Sequence, residues 1–195
     1  MEQIKLEKMR LETERLIIRP ITPDDKSEIF EYRCDKETNK YQGWIPETIN
    51  DVEAFIGKTA KQINEPGTWF QFVIIEKQAQ TMIGDLGIHF LVNQNKHVEI
   101  GCTLNKHFQN SGYATESVKR VIHYLFNELH LHRIIVSIDP DNDTSIRLVE
   151  RIGFRKEAHC VESLFINGKW VDDLLYALIE KDWEKLNPGK PIFEK

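Results

Sequence analysis

Apolar residues alternate with polar ones in some stretches of this chain and recur every three or four residues in others. The switch between those two periods marks out its elements. Residues 15–20 carry Leu16, Ile17 and Ile18 and read as a first strand, ended by Pro20. Residues 1–12 are charged and read as an extension or a frayed helix. Thr22 before Pro23, Asp24 and Asp25 signals a helix start. It offers a hydroxyl acceptor, a proline at the first helical position, and acids on the positive end of the dipole. That helix runs through Ile29, Phe30 and Tyr32, and residues 42–46 form a loop. Thr48 or Asn50 caps a second helix through Val52, Phe55, Ile56 and Ile63, which Pro66 and Gly67 end.

Residues 69–75, 82–92 and 98–104 are rich in β-branched and aromatic side chains and joined by short polar links. They predict an antiparallel meander. Residues 114–129 repeat apolar positions at three and four, so they form a long helix. Residues 133–138 are a buried strand and 139–142 a turn. A helix follows over 143–152, with Gly153 as its C-terminal cap. Asn167-Gly168 turns a hairpin over 165–170, residues 174–179 are the last strand, and residues 182–186 begin a tail broken by Pro188 and Pro191. No repeat or linker interrupts this order, so residues 1–195 read as one α/β domain.

Composition narrows the function. The chain has 195 residues, 41% of them hydrophobic, enough for one sizeable core. No apolar run approaches the roughly 20 residues of a membrane helix. The first residues, Met1-Glu2-Gln3-Ile4-Lys5, lack the apolar core of a secretory signal, so a cytoplasmic protein is expected. A net charge of −5 argues against nucleic acid as a partner and suits a basic or amine substrate. Cys34, Cys102 and Cys160 lie far apart without CxxC spacing and read as reduced thiols. The histidines, His89, His97, His107, His123, His130 and His132 among them, show no metal-ligand spacing, so no metal is expected.

The candidate chemistry sits between the strand ending at Leu104 and the helix beginning near Ala114. A loop feeding a helix start presents uncommitted backbone N–H groups and the positive end of a dipole, an anion site that suits a diphosphate. Gly112 lets that anion approach the backbone closely, and Ala114 is small. The same features also describe an ordinary capped helix.

Gln109, Gly112 and Ala114 resemble the Gln/Arg-x-x-Gly-x-Gly/Ala signature of the GCN5-related N-acetyltransferases. The surrounding words are similar to the RimJ/RimL-like branch, which modifies protein N-termini. They are residues 11–16 (Leu-Glu-Thr-Glu-Arg-Leu), 99–101 (Glu-Ile-Gly), 112–116 (Gly-Tyr-Ala-Thr-Glu), 142–148 (Asn-Asp-Thr-Ser-Ile-Arg-Leu), 153–155 and 167–173. They cover nearly the whole chain in family order. The resemblance implies a mixed central sheet of about six to seven strands. Its first half would be antiparallel, it would contain a splayed parallel pair, and about four helices would flank it. It also implies acetyl-CoA as co-substrate, an amine acceptor such as the N-terminus of a ribosomal protein, and a homodimer or higher oligomer in many relatives. One departure is visible. Relatives often carry a glycine and a basic residue where this chain has Asn110 and Ser111. Asn tolerates the left-handed backbone the loop needs, but a positive charge is missing.

Residue roles follow from the resemblance. Gln109, Asn110, Ser111, Gly112, Tyr113, Ala114 and Thr115 would hold the cofactor's diphosphate. The backbone of Cys102, Thr103 and Leu104 would hold its pantetheine arm, with Gly101 as a bulge that opens the gap. Asn142 would also bond the arm, and doubles as a helix cap. Ser145 would protonate the departing sulfur. Glu99, between Val98 and Ile100, is the preferred base, with Glu162 or water alone as alternatives. Trp44, in its Gly/Pro loop, is the aromatic best placed for an acceptor pocket; Trp69, Phe72, Phe90 and Trp170 read mainly as packing. Two further readings stay open: an acetyltransferase of polyamines or antibiotics, and a CoA-binding regulatory module without turnover.

Overall fold

The three apolar residues Leu16, Ile17 and Ile18 are withdrawn from water, and the strand they form is the second of eight. The computed structural model describes residues 9–92, 96–166 and 168–188. Strands β1 (Leu11–Glu12) and β2 (Leu16–Pro20) open the chain, followed by helices α1 (Lys26–Arg33) and α2 (Ile49–Lys58). The meander is β3 (Trp69–Glu76), β4 (Thr81–Phe90) and β5 (His97–Leu104). Helix α3 (Tyr113–Asn127), strand β6 (Arg133–Ile138) and helix α4 (Asp143–Ile152) come next. Two long strands, β7 (Arg155–Ile166) and β8 (Lys169–Ile179), and a short helix α5 (Glu180–Leu186) complete the order. One mixed sheet runs β1-β2-β3-β4-β5-β6-β8-β7, and among the described residues only β5 and β6 are parallel neighbours.

Successive side chains of a strand face opposite ways, and the sheet uses both faces. Phe72 and Ile74 join a large core with α3 and α4, including Val121, Ile122, Leu125 and Val149. Val73 and Met82 meet Ile29, Tyr32, Val52 and Ile56 of α1 and α2 in a smaller core. A buried polar group fixes α1 there. Asp85 of β4 accepts from the Tyr32 hydroxyl at 2.6 Å and from Arg33 at 3.0 and 2.5 Å. The Gln71 amide donates to the same carboxylate.

Several sequence expectations are corrected. Leu11 and Glu12 pair with Ile18 and Ile17 as a strand rather than fraying, because Leu11 is drawn into the main core; residues 1–8 lie outside those described. Helix α2 stops at Lys58, well before Pro66, where Thr59 turns extended and its hydroxyl donates to the Ile56 carbonyl at 2.8 Å. The tail carries α5, because Trp183 docks into the main core. The strand count exceeds the expected one through β1, and β7 begins ten residues before the expected hairpin. The hairpin is confirmed by the pairs Phe165–Trp170 and Ile166–Lys169. Gly168 has φ +78°, and Asn167 lies outside the described residues.

Candidate active site

The parallel ladder between β5 and β6 has only three pairs: His97 with Arg133, Val98 with Ile134, and Glu99 with Ile135. Beyond Glu99 the two strands part. On its other edge β5 stays paired with β4 through Leu104, with no shift of register at Gly101. Gly101 therefore makes no bulge, and a Cβ there would meet nothing within 4 Å. The gap opens because β6 diverges, which leaves residues 100–104 with one edge that no strand covers.

Two cavities meet at that gap. The larger, about 620 Å³, runs from Cys102 and Leu104 past Gln109, Asn110 and Gly112 to the first turn of α3. Thr144, Ser145, Leu148 and Arg151 of α4 wall its far side. The smaller, about 390 Å³, is lined by Glu99, Trp69, Tyr41, the end of β6, and Asp139, Asp172 and Asp173. Cys102, Ser145 and Leu148 line both.

The larger cavity ends on a strained loop. Asn110 and Gly112 are both left-handed, with φ +60° and +83°. Backbone turned this way makes the kind of concavity in which successive N–H groups hold an anion. The first hydrogen bond inside α3 runs from the Glu116 N–H to the Gly112 carbonyl at 3.0 Å, so the N–H groups of Tyr113, Ala114 and Thr115 precede the helix ladder. Gln109 lines the cleft, and its side-chain amide is committed to the end of the strand. It donates to the Leu104 carbonyl at 3.1 Å and ties the loop to the end of β5. Ser111 lines neither cavity; its hydroxyl donates to the Gln109 carbonyl at 3.4 Å. Thr103 is buried and also lines neither.

Ser145 stands one turn into α4. Its N–H donates to the Asn142 side-chain oxygen at 3.2 Å, so Asn142 caps the helix as its position suggests. Asn142 also lines the smaller cavity. Cys102 sits between the two cavities. Burial, reinforced by the nearby Asp85 carboxylate, pushes its thiol up to about 12.

The smaller cavity holds carboxylates of opposite character. Burial raises the Glu99 pKa, partly offset by His89, whose Nδ1 lies 3.7 Å from the carboxylate. His89 in turn stacks on Trp69, with ring centroids 4.8 Å apart. The Asp172 pKa is lowered, because it accepts from the Glu162 N–H at 2.9 Å and pairs with His159 at 2.6 Å. Asp173 is buried and accepts from the Ser137 hydroxyl at 2.7 Å. None of the described residues lining this cavity is basic.

Two expected residues are elsewhere. Trp44 stacks on Phe55, 4.6 Å between centroids, in the smaller core, and its neighbours Tyr41, Gln42 and Gly43 line the cavity instead. Glu162 is exposed, with φ +45°, in an irregular stretch of β7 away from the junction. Of the lining residues that were not anticipated, two carry charge that bears on the site. Arg151 brings a positive charge to the larger cavity, and its spacing from Thr144 and Leu148, seven and three residues, was legible as one helix face. Asp173 is placed by its strand pairing, which no local pattern reveals. Among the described residues no cluster of His, Cys, Asp or Glu could hold a metal, and no helix is long and apolar enough to cross a membrane.

Known proteins resemble this arrangement. The family model of the acetyltransferase (GNAT) domain matches residues 15–155. The [ribosomal protein uS5]-alanine N-acetyltransferase of Escherichia coli is 27% identical over 192 residues, 94% of this chain and 95% of that protein. The spermidine N(1)-acetyltransferase of Vibrio cholerae is 28% identical over 143 residues, 73% of this chain and 82% of that one. The crystal structure of a GNAT-family acetyltransferase from Bacillus anthracis superposes with a TM-score of 0.80 at 29% identity, covering 89% of this chain and 99% of that one.

Proposed function

The chain belongs to the GNAT family and is an N-acetyltransferase, and from that premise we propose that it moves the acetyl group of acetyl-CoA onto the N-terminal α-amine of a protein chain. The observation that carries this reading is the junction. Ser145 and Cys102 line both cavities at the point where β5 and β6 part. A thioester reaching that point from the larger cavity meets an amine arriving from the smaller one.

The groups present suit the cofactor. The anion-binding start of α3, with Arg151 opposite, fits the diphosphate. The uncovered edge of residues 100–104 offers backbone donors to the pantetheine arm and to the thioester oxygen. The amine nitrogen forms a bond to the carbonyl carbon and the C–S bond breaks. Glu99 takes the ammonium proton, directly or through water. Its raised pKa suits a base, whereas Asp172 is held ionised. Ser145 relays a proton to the leaving thiolate, its hydroxyl proton being replaced, through water, by the one the attacking nitrogen gives up. Cys102, at about 12, stays a thiol at neutral pH, which favours direct attack over a relay through an enzyme thioester.

A polyamine acceptor is the second reading. Asp139, Asp172 and Asp173 stand beside Glu99 in the acceptor cavity, more carboxylates than one ammonium engages. The deciding experiment is thiol release from acetyl-CoA with peptide N-termini, polyamines and aminoglycosides offered in turn. Turnover with N-terminal peptides and none with spermidine supports the first reading. The reverse establishes the second, and no release with any amine removes both.

A further inference from the structure

The start of the chain folds back onto the loop that ends the larger cavity. Arg15, the residue before β2, reaches across to α3. Its guanidinium grips Glu116, with Nε 2.7 Å and Nη2 2.5 Å from Oε2. The Arg15 backbone N–H donates to the other carboxylate oxygen at 3.1 Å, and the Thr13 hydroxyl donates to it at 2.5 Å. The remaining arm of the guanidinium donates to the Ser111 carbonyl at 3.0 Å. The whole group lies 4.4 Å above the Tyr113 ring.

We propose that Arg15 is a positioning residue for the diphosphate of acetyl-CoA, although it does not line the cavity itself. The proposal rests on the reading of the α3 start as the diphosphate site. Two physical arguments support it. In a planar trans peptide the carbonyl and the following N–H point in opposite directions. Holding the Ser111 carbonyl toward Arg15 therefore turns the Gly112 N–H away from Arg15, and Gly112 is the residue that lines the cleft. The second argument is charge. Glu116 lies in the first turn of α3, where a carboxylate suits the helix dipole, but it also lines the cavity and would repel a diphosphate. Arg15 and Thr13 occupy both of its oxygens, and the guanidinium cancels its charge. Arg15 thus removes a negative charge from the loop that carries Asn110 and Ser111 in place of a basic residue. Two guanidinium nitrogens on one carboxylate oxygen, a third on the Ser111 carbonyl and a ring face below hold a geometry that a lysine would not.

The test compares acetyl-CoA with S-acetyl-pantetheine, which lacks the diphosphate. Binding is followed by calorimetry and competition in wild type, Arg15→Gln and the double variant with Glu116→Gln. We expect Arg15→Gln to weaken acetyl-CoA about tenfold and to leave S-acetyl-pantetheine unchanged, which also reports an intact cleft. The double variant recovers most of the loss, and the effect shrinks with added salt. An equal loss for both ligands, or none for either, reduces Arg15 to a structural clamp and overturns the proposal. A double variant as weak as Arg15→Gln overturns the charge argument. Should wild type itself bind both ligands alike, the diphosphate site is wrongly placed. Should wild type discriminate and Arg15→Gln discriminate equally, only the role of Arg15 falls.

Discussion

In the proposed reaction Glu99 would serve chemistry at the expense of stability. Burial raises its pKa in the folded protein above the 4.5 of an exposed glutamate. A carboxyl raised in this way contributes fully below its unfolded pKa, and that contribution is lost as pH rises through the folded value. At neutral pH the ionised group is a cost. Glu99→Gln should therefore raise the melting temperature near pH 7, with the gain disappearing toward about pH 4. The same variant should lower kcat/KM by about 10²-fold and lose the part of the acidic limb that Glu99 sets. Its residual rate should climb with pH as the free amine fraction grows. An unaltered limb would assign the proton to water. Ser145→Ala should reduce kcat by about 10²-fold while the KM for acetyl-CoA holds within about threefold, the signature of a group used only in the transition state. Both candidates stand in words of the sequence that resemble the family. That they line one cavity was not legible, because Glu99 comes from a strand and Ser145 from a helix whose convergence no local pattern encodes.

Elements with a strong period were read nearly to the residue. Strand β6 and helix α4 match their expected bounds, because each buries one clear apolar face. The first ten residues of β7 were missed. They are mostly charged or polar and exposed at the sheet's edge, so no alternation marks them. Helix α5 was missed because a single tryptophan carries its docking. Helix α1 shows a third case, with its end fixed by charge rather than apolar rhythm. The side chains of Arg33 and Asp85 keep only 11% and 2% of their exposure. Asp85→Ala should destabilise the protein by about 3–5 kcal/mol, because a buried guanidinium is left without its partner. Replacing both by apolar residues of similar volume should recover most of that, read as the midpoint of urea unfolding.

At the scale of the molecule, the order of elements brings two cavities together where β5 and β6 part. The antiparallel half of the sheet and α1–α2 form a support for one cavity, and the start of α3 closes the other. The short β5–β6 ladder is the feature that makes this possible, and it has a consequence for the resting protein. A sheet that stops early leaves rungs for something else to finish. Amides of residues 100–104 that point toward β6 should exchange with deuterium faster than those that point toward β4, and acetyl-CoA should slow them selectively. The melting temperature should also climb with ligand concentration, by about 2.7 kcal/mol of added stability at 100 times the dissociation constant. Part of the protein's folding free energy thus resides in a small molecule that the cell supplies, and the abundance of the enzyme becomes tied to the abundance of its donor.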